Sequence, residues 1–97
     1  MKKETLNIRL EKIENLSRGS KAYQIVKGFI NGENNFMIRG NIIRPCHTSG
    51  TGRFCTNLDY TDQIKYLLDK IGVKYISGND SPRGGKTGNF IKVTTKI

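Results

Sequence analysis

The apolar positions of the chain cluster into segments whose internal spacing predicts their structure. The clearest is Tyr60, Ile64, Leu67, Leu68 and Ile71, at i, i+4, i+7, i+8 and i+11, which puts all five on one face of a helix over 59–71. Asn57 or Asp59 suits its start, Asp59 and Asp62 suit the positive end of its dipole, and Gly72 suits a left-handed stop. Residues 5–16 read two ways. Leu6, Leu10, Ile13 and Leu16 recur at helical spacing, with Gly19 available as a stop, whereas Leu6, Ile8 and Leu10 alternate as a strand does. The helix is the favoured reading.

Residues 22–30 and 35–43 are rich in β-branched and aromatic types and flank Asn31-Gly32, a pair that tolerates positive φ. They predict a β-hairpin, with Gly28 and Gly40 as bulges or close approaches. Residues 73–77 and 89–96 predict a second hairpin. In its last strand Ile91, Val93 and Thr95 alternate with Lys92, Thr94 and Lys96, so one face is apolar and the other cationic. The sum is a single domain over 1–97 of α+β class. It has a small antiparallel sheet of about four to five strands in two hairpins, a helix at about 59–71 and an N-terminal helix as an option.

Two stretches contain too little apolar surface to pack. Ser77 to Gly88 holds four glycines, Pro82, Arg83, Lys86 and Asp80, and forms the expected tip of the second hairpin. Its glycines leave backbone N–H groups uncovered beside two cations, an arrangement suited to phosphate or another anion. Arg44 to Asn57 predicts a long loop, since Pro45, Gly50 and Gly52 oppose regular structure; loops of this length in small domains are commonly functional or mobile. If the two lie side by side, Arg44 and Arg53 join Arg83 and Lys86 around one basic cleft.

Charge sharpens this picture. The 97 residues carry 17 Lys and Arg against 8 Asp and Glu, a formal net charge of +9. The balance is +3 over 1–21, +3 over 22–57, zero over 58–76 and +3 over 77–97, so the excess avoids the 59–71 helix. A helix that reads bases in a major groove shows the reverse. Glu4, Asn7 and Arg9 interrupt any signal-peptide core after Lys2-Lys3, and no stretch is long and apolar enough to span a membrane, so a cytoplasmic setting without membrane contact is expected. Richness in Lys, Asn and Ile suits AT-rich bacterial, phage or mobile-element coding.

Candidate chemistry is sparse. Gly85-Lys86-Thr87 matches the end of a Walker A loop, but Asp80 replaces its first glycine and a strand is expected where a helix should follow, so nucleotide hydrolysis is excluded. Cys46, His47 and Cys55 make a poor metal set because adjacent ligands rarely share one tetrahedral ion, and His47 is the only histidine. A disulfide between Cys46 and Cys55 is sterically conceivable but disfavoured in cytosol. Asp59 and Asp62 are explained by capping. No catalytic residue, metal or cofactor is assigned, and an enzymatic role has little support. Tyr66 falls off the apolar stripe of its helix and is the candidate for stacking on a base.

The expected function is a small nucleic-acid-binding module, for DNA or RNA, gripping the phosphate backbone through Arg44, Arg53, Arg83, Gly84, Gly85, Lys86, Thr87, Lys92 and Lys96. Two alternatives remain: a phage or mobile-element protein that inhibits a host nucleic-acid-handling or defence enzyme, and a pocket that sequesters a small phosphorylated ligand.

Overall fold

A computed structural model describes residues 2–49 and 56–97. Over these described residues the fold is α+β, with three α-helices, a four-stranded antiparallel sheet and a separate two-stranded ribbon. Helix α1 spans Lys3–Glu11, α2 Lys21–Ile30 and α3 Thr61–Ile71. Strands β1 (Ile38–Arg39), β2 (Ile42–Ile43), β5 (Tyr75–Asn79) and β6 (Asn89–Val93) form the sheet in the order β1-β2-β6-β5, while β3 (Cys46–Ser49) pairs with β4 (Thr56–Asp59).

Helix α1 resolves the ambiguity of the N-terminal segment. Leu6 and Leu10 are fully buried one turn apart, and Ile8, the residue that suggested a strand, points into solvent. Helix α3 forms as its periodicity predicts: Ile64, Leu67, Leu68 and Ile71 are buried. Asp59 accepts a bond from the Thr61 N–H at 3.0 Å and another from the Thr61 hydroxyl, and Gly72 at φ +78° ends the helix. Arg9 Nη1 donates to the Ile71 carbonyl at 3.0 Å, so α1 also satisfies an end carbonyl of α3.

Residues 22–30 correct the sequence reading: they form α2, not a strand. Ala22, Tyr23, Ile25, Val26, Phe29 and Ile30 are all buried, and their spacing of three and four is helical. Ser20 Oγ caps the start by accepting from the Tyr23 N–H at 3.2 Å. Asn31-Gly32 is then a helix end, not a hairpin turn: Asn31 is the C-terminal cap and Gly32, at φ +80°, is the left-handed residue after it. Packing of a long apolar face overrode the β preference of individual residues. The first hairpin of the sheet lies further on. It joins β1 to β2 through Gly40-Asn41, with Gly40 at φ +58°.

The three helices contact one another and share one core with one face of the sheet. Leu6, Leu10, Val26, Ile64, Leu68 and Ile71 meet Ile38, Ile43, Ile91 and Val93. At one corner Glu11 accepts from the Tyr23 hydroxyl and, at 2.7 Å, from Arg18, which ties the end of α1 to α2 and lowers the Glu11 pKa. Because the Ser20 cap serves a helix that supplies much of the core, Ser20→Ala is expected to lower unfolding free energy by about 1 kcal/mol in urea titration. If 21–30 were a strand, the same substitution would be near neutral.

Candidate functional site

The second hairpin forms as expected. Strands β5 and β6 pair in the register Ile76↔Lys92 and Gly78↔Phe90, and the ladder continues into the tip through an Asp80 N–H bond to the Gly88 carbonyl at 3.0 Å. The tip is a built structure. The Gly84 N–H donates to the Ser81 carbonyl at 3.0 Å, the Gly85 N–H to Ser81 Oγ at 3.3 Å, and the Asn79 side-chain amide to the Gly85 carbonyl at 2.8 Å. A 3₁₀ turn over Lys86–Gly88 leads into β6. The Gly84 and Gly85 amides, expected to form an anion-binding concavity, are thus consumed within the tip. Gly88 has a different duty. A Cβ there would lie 2.4 Å from Ser81 Cβ, so only glycine lets the two sides of the tip close.

Arg44 is likewise committed. Its Nη1 and Nη2 donate to Asp80 Oδ1 and Oδ2 at 2.8 and 2.7 Å, Nη1 also reaches the Gly88 carbonyl at 3.4 Å, and the guanidinium lies 5.9 Å from the Phe90 ring centroid. This two-point clamp holds the Asp80 carboxyl below its ordinary value and raises the Arg44 pKa. Arg44, expected as an anion contact, is paired within the chain and anchors the tip to the residue after β2.

Within the segment expected as a long loop, the described residues 46–49 and 56–57 are strand, as part of the β3–β4 ribbon, which packs on the Lys86–Gly88 turn of the tip; residues 50–55 lie outside the described residues. Lys86 is close enough to lower the pKa of Asp59, which is depressed chiefly by its Thr61 hydrogen bond. Burial, then the Asp59 charge, pushes the Cys46 thiol up, which opposes a nucleophilic role. His47 is half-buried, 5.3 Å edge-on from Phe36 and 6.4 Å from Tyr60. Arg53 and Cys55 lie outside the described residues.

The remaining cations separate. Arg83, Lys86 and Thr87 are exposed on the tip, and Lys92 is exposed on β6. Lys96 lies at the far end of the molecule, lining a groove with Lys3, Asn31 and Asn41. Tyr66 is 51% exposed, as its helical position predicts, but it faces α1 beside Arg9 and Lys12, with Lys70 Nζ 5.6 Å from its ring centroid. It is not near the tip.

The site that sequence reasoning missed is the face of the sheet turned away from the helices. Cross-strand partners share a face, so Arg39, Ile42, Lys92 and Ile76 form a row across all four strands. Alternation adds Lys74 on one side, and Phe90 with Gly78 on the other. Lys74, Arg39 and Lys92 are exposed, Ile42 and Phe90 are half-buried, and Ile76 is 59% exposed, so none of the helices covers this face. The Phe90 ring lies against the bare backbone of Gly78, where a Cβ would sit 2.9 Å from Cζ. No carboxylate occurs in the four strands of the sheet. The signal for Lys92 was legible in the 91–95 alternation. That for Arg39 and Ile42 was not, because β1 and β2 have only two residues each, and that for Ile76 was not, because apolar and polar residues do not alternate along Tyr75–Asn79.

The chain was compared with protein-family models, curated proteins and solved structures, and none matches it. Fold and site together define a small α+β domain with a one-sided sheet, basic on its open side.

The Arg44–Asp80 clamp depends on the Asp80 charge. Since the folded-state pKa of Asp80 is depressed, the clamp is at full strength above the ordinary aspartate value near 3.8 and is lost as pH falls through the depressed one. Arg44→Ala at neutral pH, and acidification of the native protein into that range, should both drop backbone order parameters over 81–88 to below about 0.6 while α3 stays rigid.

Proposed function

We propose that this chain is a nucleic-acid-binding module that seats a phosphate backbone on the open face of its sheet and on the exposed side of the adjoining tip. The observation that carries this reading is the segregation of charge. Arg39 and Lys92 stand on strands without carboxylates, Lys74 directly precedes β5 on the same face, and Asp80, an acid that borders this face, is paired with Arg44. Glu4 and Glu11 lie instead on α1, and Asp62 and Asp69 on α3, across the core. The open face therefore presents cations that no strand carboxylate offsets, and a net charge of +9 adds long-range attraction for a polyanion.

Arg39, Lys92 and Lys74 contact phosphates along the sheet, and Arg83 and Lys86 extend the track onto the tip. The apolar members Ile42, Ile76 and Phe90 give sugars and base faces a surface to lie on. Point charges on short strands carry little base information, so binding follows phosphate density more than sequence.

Fluorescence anisotropy with short DNA and RNA over a range of salt concentrations tests the reading. Arg39→Ala with Lys92→Ala should weaken binding and reduce the slope of log K against log salt by about 2, and Arg83→Ala with Lys86→Ala should do the same. Tyr66→Ala, on the helical side, should leave the slope unchanged. Failure to bind any DNA or RNA at low salt, or a slope unmoved by the sheet substitutions, rejects the proposal.

A further inference from the structure

Strand β5 is an edge of the sheet, and it lacks the devices that usually keep edges single. Among the described residues it pairs only with β6, and Tyr75–Asn79 contains no lysine, no proline and no charge of any kind. The hydrogen bonds at both ends of its ladder, Thr94 N–H to Lys74 carbonyl at 2.8 Å and Asp80 N–H to Gly88 carbonyl at 3.0 Å, fix which backbone groups face β6. By alternation those of Ile76 and Gly78 also point inward to β6, and those of Tyr75, Ser77 and Asn79 point outward. The outward row is a template for another strand.

We infer that this edge pairs with β5 of a second copy of the chain, antiparallel about a two-fold axis at Ser77, giving a continuous eight-stranded sheet. The strand is complementary to itself in this register. Ser77 meets its own counterpart and exchanges both backbone bonds with it, and Tyr75 meets Asn79. On the open face Ile76 falls opposite Gly78 of the second copy, at a non-hydrogen-bonded position where side chains approach closely. A 59%-exposed isoleucine thereby gains a position without a side chain, next to the Phe90 ring that already lies against that glycine. One step further out, Lys74 stands opposite Asp80.

The helical layer carries a second complementarity. Helix α3 runs alongside β5: Thr61 and Lys65 border Ser77 and Asn79, while Asp69 lies at the Tyr75 hydroxyl and, after burial, raises its pKa. Since Tyr75 pairs with Asn79 across the axis, Lys65 of each copy is brought toward Asp69 of the other. Opposite charges meet at both of these places, Lys74 with Asp80 and Lys65 with Asp69, although the whole chain is strongly basic. A generic extended peptide would match the backbone but not both of these patterns. The pairing also sets two open faces side by side, doubling the cationic track, and it holds independently of whether that track binds nucleic acid.

Sedimentation equilibrium of the full, nuclease-treated chain from micromolar to millimolar concentration tests the inference. The expected result is a concentration-dependent species of twice the 10.9 kDa chain mass, with slowed hydrogen exchange at the Ser77 amide as it forms. Ser77→Pro, which removes the central outward N–H, should give a monomer that keeps the native circular dichroism. Lys65→Asp and Asp69→Lys should each weaken the dimer by tenfold or more, and the double exchange should restore it; these variants decide the matter if the proline variant fails to fold. A native chain of single mass at millimolar concentration, or a dimer indifferent to both single charge variants, overturns the inference.

Discussion

Strand β6 is held between β2 and β5 in one register, and the rest of the molecule follows from that. Ile91 and Val93 point into the helical layer, where each buried aliphatic side chain contributes about 2 kcal/mol, and this locks Lys92 to the opposite side. A slip by one residue would exchange the two faces, placing a lysine in the core and two aliphatic groups in water. The cost of that exchange makes the cationic side of the sheet a structural consequence of the apolar side. Helices α1, α2 and α3 all gather on the face that Ile38, Ile43, Ile91 and Val93 define, and none is left for the other.

The tip at the end of β5 and β6 obeys a different economy. Its backbone is largely satisfied by its own carbonyls and by Ser81 and Asn79, and Gly88 is needed because Ser81 occupies the space a side chain would take. Arg44 then joins the tip to the strand beside it. An exposed ion pair of this kind is screened by water and adds little to global stability, but two parallel hydrogen bonds define an orientation. Arg83 and Lys86 are therefore displayed from a shaped platform beside the β3–β4 ribbon, not from a slack loop. Asp59 and Asp80 temper the positive field at the tip, whereas the open sheet has no such acid among its strands.

The distribution of carboxylates gives the protein two unlike sides. On α1 and α3 acids and bases are balanced, and Glu11 is hydrogen-bonded to Tyr23 and Arg18. Tyr66 belongs to this helical side, so the ring expected to stack on a base is not part of the basic sheet face, whose aromatic residue is Phe90. The edge strand lies where the two sides meet, and its neutrality is notable in a chain with so many lysines.

Local pattern alone determined α3, because five apolar positions at helical spacing, an acidic start and a following glycine all agree, and it determined the β5–β6 hairpin, because alternation and a glycine-rich tip agree. It misled at 22–30, where β-branched and aromatic residues and Asn31-Gly32 suggested a hairpin while the spacing of Ala22, Tyr23, Ile25, Val26, Phe29 and Ile30 already fitted a helix. Only tertiary structure could rank those signals, since burial of a whole helical face outweighs single-residue preference. Only tertiary structure, too, could show that Arg44 is spent on Asp80, 36 residues away, and that Arg39, Ile42, Lys92 and Ile76 form one row. Charge and spacing are properties of a chain, but neutralisation and adjacency are properties of its pairing, and pairing is decided by which faces the core removes from water.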